Sequence, residues 1–110
     1  MIEYQYIDTN NFTDAISQLH HIISLLRTPE GCPWDRELTD QKAAQAIIDE
    51  TYEYLDALKL QDKDNQREEI GDVLINVLSL LHIKSDTALF SPTEAINEAS
   101  RKLIRRHPHV

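Results

Sequence analysis

Between Ile70 and Leu81 the apolar residues Ile70, Val73, Leu74, Val77, Leu78 and Leu81 recur at steps of three and one. That interval keeps side chains on one side of an α-helix and is incompatible with the alternation of a half-buried strand. The same period runs through Phe12, Ala15, Ile16, Leu19, Ile22, Ile23 and Leu26. Glycine, which punctuates sandwiches and barrels, occurs only at positions 31 and 71, whereas Ala, Leu, Ile, Glu and Asp are plentiful. The chain is therefore expected to be all-α.

Breakers and caps divide it into four long helices. The first runs over about 11–27 and ends at "TPEGCPWD", where two prolines and a glycine predict an ordered loop carrying Trp34. Thr39 is suited to cap a second helix over about 40–61, and the polar run "QDKDNQ" supplies the next turn. So short a connection predicts that the third helix, about 64–83, returns antiparallel to the second. "SPTE" reads as a capping box, with Ser91 as N-cap, Pro92 in the first helical position and Glu94 reaching back. A fourth helix over about 92–106 should turn Ala95, Ile96, Ala99 and Leu103 inward and end before Pro108. The expected architecture is an antiparallel four-helix bundle, one domain spanning 1–110.

Charge narrows the partners. A formal net charge of −8 argues against a nucleic acid duplex or an anionic membrane surface, both of which need a dominant positive field. A lone cysteine, Cys32, cannot form an internal disulfide and is expected to be structural. "MIEYQYIDTN" lacks the regions of a signal peptide, and no apolar run reaches membrane-spanning length. A cytoplasmic setting is expected.

The acids do not fit a plain core. Glu50 and Glu53 lie three apart, as do Glu69 and Asp72, so each pair projects together from its helix, and a turn between them lets the pairs face each other. Most acid-rich helices simply present a solvated face. Here, however, Asp72 sits among Ile70, Val73 and Leu74, and Glu50 beside Ile47 and Tyr54. Like charges half-withdrawn from water must either raise their pKa values or be neutralised by a cation. Oxygen ligands without His or Cys point to a hard ion, Mg²⁺, with Mn²⁺ as a substitute. Asn76, one turn beyond Asp72, reads as a residue that orients a ligand or as an ordinary surface amide.

Glu50-x-x-Glu53, fifteen residues, then Glu69-x-x-Asp72 resembles the ExxE…ExxD signature of the MazG-type nucleotide pyrophosphohydrolases, within the all-α NTP pyrophosphatase superfamily. "LRTPEGCPWDRE" at 26–37 and "KLIRRHPHV" at 102–110 resemble the stretches that border that helix pair in the family. The resemblance covers roughly residues 16–110. It implies Mg²⁺ held by Glu50, Glu53, Glu69 and Asp72, and hydrolysis of nucleoside triphosphates between the α and β phosphates to monophosphate and pyrophosphate. It also implies at least a homodimer, with the apolar faces of the second and third helices as interface. Departures are Asp49, where many members have Glu, Ser100, where several have Asn, and a chain that stops at "HPHV" where many continue into a second, similar domain.

Lys102, Arg105 and Arg106 cluster on one side of the last helix, where cations complement the helix dipole. The resemblance turns them toward a phosphate tail. Trp34 reads as a base-stacking platform or as an apolar plug fastening its loop, and a single tryptophan is more commonly a plug. The five histidines do not supply convergent ligands for zinc, and His82 reads as a helix-end residue. Two rivals remain: hydrolysis of one specialised nucleotide such as dCTP, dUTP or phosphoribosyl-ATP, and a non-catalytic nucleotide- or partner-binding module.

Overall fold

The structure, a computed structural model, describes residues 3–110. It consists of α1 (Phe12–Leu26), α2 (Pro33–Glu37), α3 (Asp40–Lys59), α4 (Lys63–Asp86) and α5 (Pro92–Arg106), with no strand among the described residues. The four expected long helices are present. The loop read between the first two contains a further short helix, α2, started by Pro33 in its first turn.

Side-chain caps fix where the helices begin. Asn11 accepts from the Asp14 N–H (2.9 Å), Thr39 from Lys42 (3.2 Å), Asp62 from Asn65 (3.1 Å) and Ser91 from Glu94 (3.1 Å). Each satisfies one orphan donor and contributes about 1 kcal/mol. The capping box is half made, because the Glu94 carboxylate returns no bond to the Ser91 N–H among the described residues.

The α3–α4 hairpin is the centre of the molecule. Gln61 adopts a left-handed φ of 54°; its N–H donates to the Leu58 carbonyl and that of Asp62 to Ala57, the pair of bonds of a Schellman motif. Asp62 then caps α4, so three residues reverse the chain. At the far end Lys84 pairs with Asp40 at 2.6 Å, which confirms the antiparallel course.

The helices meet along an unusual seam. On α3, Ala43 and Ala57 are completely buried, with the half-buried Glu50 midway between them, seven residues from each. On α4, Glu69, Asp72, Asn76, Ser79 and Ile83 follow each other at steps of three and four, and all are buried or half-buried. Small and polar residues thus line the contact that knobs-into-holes spacing selects. The apolar stripe read from the sequence lies to one side: Leu78 is buried, while Ile70 and Val77 are exposed. That stripe is too broad for α3 alone to cover.

The outer helices are loosely attached. α1 buries only Ile23 and leaves Phe12 and Ala15 exposed. Its N-terminal approach is extended, held by Gln18, whose amide donates to the Ile7 carbonyl (2.6 Å) and accepts from the Ile7 N–H (3.0 Å). Of the α5 residues expected inward, Ile96, Ala99 and Leu103 are exposed and only Ala95 is half-buried. The reason is that only the start of α5 packs: Pro92, Thr93 and Ile96 face α1 and α4 around a cavity, and the rest runs free. The Cα radius of gyration is accordingly 15.9 Å, against about 13 Å for a compact chain of this length.

Trp34 is 84% exposed and is no plug. Its loop is fastened by backbone instead. Gly31 lies so close to the end of α1 that a Cβ would collide with the Leu25 and Leu26 carbonyls. The Cys32 N–H donates to Leu26 (2.8 Å) and the Arg27 guanidinium to the Asp35 carbonyl. Cys32 is half-buried and free.

Candidate metal centre

The hairpin brings three acids to one point. Glu50 from α3 and Glu69 and Asp72 from α4 each offer a carboxylate oxygen, and these oxygens all lie within 4.8 Å of one another. Local structure explains the convergence: Glu50 occupies the seam between two buried alanines, so α4 comes close, and Glu69 and Asp72 are the seam residues opposite. Glu69 is 8% exposed, the one buried carboxylate among the described residues. Glu53, three residues after Glu50, is exposed at the rim and outside the trio.

The trio carries an unbalanced charge. No lysine or arginine forms an ion pair with it among the described residues. Glu69 is pushed up to about 8, first by a hydrogen bond to Glu50 that favours its protonated form, then by burial and the Glu53 carboxylate. Glu50 is also raised: the bond to Glu69 favours its charged form, but burial and the charges of Glu53 and Asp72 outweigh it. Without a cation, Glu69 keeps its proton in neutral solution.

The fit to a hard cation rests on unpartnered oxygens. Oε2 of Glu50 and Oε2 of Glu69 are both buried and receive no hydrogen bond from any N–H or hydroxyl group, so only a proton shared by the two acids or a ligated ion can offset their charge. The donors are all carboxylate oxygens, the set that suits Mg²⁺ or Mn²⁺. Asn76 is adjacent but partly committed, its amide donating to the Asp72 carbonyl at 3.0 Å.

The remaining candidates stand apart. Lys102, Arg105 and Arg106 are exposed on the free half of α5 and make no ion pair with the acids. Trp34 projects from the α1–α3 connection, which Arg27 ties through Asp86 to the C-terminal end of α4. Fourteen residues of helix, about 21 Å, separate Asp86 from Asp72. Sequence reasoning missed two features here. One is the seven-residue register of Ala43, Glu50 and Ala57, which was readable in the sequence. The other is His82, which is not at a helix end: it stands four residues inside α4 and stacks on His20.

An all-helical domain whose central hairpin gathers unpaired acids into its seam is the class that fold and site define. Comparison with known proteins makes it specific. The sequence profile of the MazG nucleotide pyrophosphohydrolase domain matches residues 38–110, and the chain belongs to that family. It is 40% identical over 93 residues to the nucleoside triphosphate pyrophosphohydrolase/pyrophosphatase MazG of Thermotoga maritima, covering 84% of this chain and 36% of that protein. With the nucleoside triphosphate pyrophosphohydrolase of Escherichia coli K12 it shares 42% over 98 residues, 88% of this chain and 37% of that one. It is also 45% identical over 94 residues to the uncharacterized protein YabN of Bacillus subtilis, covering 86% of this chain and 19% of that one. The chain thus spans between about a fifth and two fifths of these relatives. Among solved structures, the crystal structure of a mazG-related protein from Thermotoga maritima superposes with a TM-score of 0.76 at 27% identity, over 84% of this chain and 79% of that one.

Proposed function

We propose that this chain is an Mg²⁺-dependent nucleoside triphosphate pyrophosphohydrolase that cleaves NTPs or dNTPs between the α and β phosphates. The observation that carries this reading is the trio of converging carboxylates with two unpartnered buried oxygens, in a chain of this family. Glu50, Glu69 and Asp72 would hold the ion, with Mn²⁺ able to substitute. Bound there, the ion would supply Lewis-acid polarisation of the phosphoryl oxygens and lower the pKa of water. Water oxygen bonds to the α-phosphorus, the bond to the bridging oxygen breaks, and pyrophosphate leaves with that oxygen. Glu53, exposed at the rim, either joins the ligand set or takes the proton of the attacking water. Asn76 keeps a free side-chain oxygen beside Asp72 for orienting substrate.

The same reading makes the protein a homodimer or a higher homo-oligomer. Ile48, Tyr52 and Leu55 form an uncovered apolar face on α3, among Asp49, Glu53 and Asp56. α5 offers the complement, an uncovered apolar face of Ile96, Leu103 and Ile104 beside Arg101, Lys102, Arg105 and Arg106. One chain bearing both surfaces is suited to pair with its own copy. Pairing would bring the basic end of α5 toward a phosphate tail and give Trp34 a base to stack on. No helix among the described residues is long and apolar enough to cross a membrane, consistent with work on nucleotides in the cytoplasm.

The test is pyrophosphate release from the eight common NTPs and dNTPs, plus dUTP and phosphoribosyl-ATP, for the wild-type chain and for Glu53→Gln and Asp72→Asn. Metal-dependent release lost in both variants supports the reading, and the preferred substrate separates a general from a specialised hydrolase. No release from a chain that Mg²⁺ still stabilises would establish a binding module instead.

A further inference from the structure

His20 on α1 and His82 on α4 stack face to face, with ring centroids 4.5 Å apart and planes inclined by 26°. Nε2 of each ring is buried and has no hydrogen-bond partner. Near-parallel rings direct their nitrogen lone pairs alongside one another, so the pair cannot converge on a metal about 2 Å from both. The carboxylate trio is the only group of three or more potential ligands close enough together to hold an ion among the described residues.

What the stack can do is respond to protons. A neutral imidazole tolerates a bare ring nitrogen, whereas a protonated one would place an N–H there without an acceptor and a charge against a second ring. The surroundings decide the balance. From the α1 side come His20 and the Arg27 guanidinium; on α4 itself Asp86 lies one turn beyond His82 and is already paired with Arg27 at 2.9 Å. α5 presents only Pro92, Thr93 and Ile96, across a cavity of about 270 Å³ that His20 also lines. His82 is held below the ordinary histidine value, by burial first and by His20 and Arg27 next, against the pull of Asp86. The cavity gives the His20 ring room to leave.

We propose that the His20–His82 stack is an acid-operated latch that fastens α1, and with it the Arg27-tied Trp34 loop, to the end of α4, and gives way to a released form when His82 is protonated. The released form, with its ordinary histidine, takes the proton first. The latch is therefore closed above about pH 6.5 and loosens as pH falls below it. Nothing in this requires the catalytic reading.

Amide hydrogen exchange of the full chain tests it, corrected for the intrinsic rate, at about pH 7.5 and about pH 5.5. Amides of α1 should exchange several-fold faster at the lower pH while those of the α3–α4 hairpin do not. His82→Phe, which keeps an aromatic ring but cannot titrate, should remove that difference. Equal α1 protection at both pH values, or full pH dependence in His82→Phe, would overturn the latch. If His82→Phe fails to fold, an NMR titration of the wild-type imidazoles decides: His82 titrating below free histidine supports the latch, and at or above it overturns it.

Discussion

The α3–α4 hairpin and the helices around it solve opposite problems. The hairpin is tightly built: two completely buried alanines, a Schellman turn that passes directly into an Asp62 cap, and the Lys84–Asp40 pair at its open end. Yet its seam contains acids. The outer helices have good amphipathic sequences and almost nothing to bury them against; Leu103 on α5 is 59% exposed and Phe12 on α1 is 77% exposed. Small residues and caps hold the backbone closely enough to force like charges together, and apolar surface left outside is free to bind a second copy. Rigid geometry is invested where charge must be concentrated.

The largest test of that division is Glu69→Gln. If the hairpin stores charge for chemistry, the variant should lose about 100-fold to 1000-fold or more in metal-dependent pyrophosphate release, while its metal-free form melts higher than the wild type. A variant that melts lower would make Glu69 a structural residue and break the comparison. The next test addresses the outer surfaces. Ile48→Asp combined with Tyr52→Asp should convert the proposed dimer to monomer in light scattering, with α-helical content retained. An unchanged mass would assign the α3 face to some other role.

Mg²⁺ should stabilise the hairpin by mass action, about 2.7 kcal/mol at a free concentration one hundred times its Kd, read as a rise in melting temperature that EDTA reverses. Without metal, pH should act on the same residues. Because Glu69 is raised from 4.5 to about 8, the folded chain binds the extra proton between those values. Metal-free stability should therefore fall as pH rises through that window. Glu69→Gln should flatten that slope. Denaturant melts at a series of pH values check both, and a slope that persists in the variant would place its origin elsewhere.

These outcomes bear on what the sequence could and could not convey. The order of the long helices and two of the four side-chain caps were legible because caps and breakers act locally: Thr39, Ser91 and the "TPEGCPWD" breaks are recognisable without tertiary context. The pairing of Glu50 with Glu69 and Asp72 was legible too, since helical spacing and a short turn leave little freedom. Burial was not. Ile70, Val77, Ile96 and Leu103 carry the pattern of core residues, but periodicity reports only which side of a helix is apolar and not whether anything covers it. Trp34 misled for a related reason: its loop is fixed by Gly31 and by backbone bonds, so the indole was not needed as an anchor.

The smallest prediction concerns the turn that sets the register of the acids. Gln61 is held at φ 54°, where a Cβ crowds its own backbone and costs about 1 kcal/mol, a penalty glycine escapes. Gln61→Gly should therefore stabilise the folded hairpin, offset in part by the greater freedom of glycine in the unfolded chain. A net gain of about 0.5 kcal/mol, measured by denaturant melts, is expected. None of the turn's bonds uses the Gln61 side chain, so glycine keeps them and the carboxylates should stay in register. Activity should then be unchanged. A stabilised variant with reduced activity would mean that turn strain, and not the alanine seam, aligns Glu50 with Glu69 and Asp72, and the comparison between a rigid hairpin and its loose surroundings would have to be redrawn around residues 60–62.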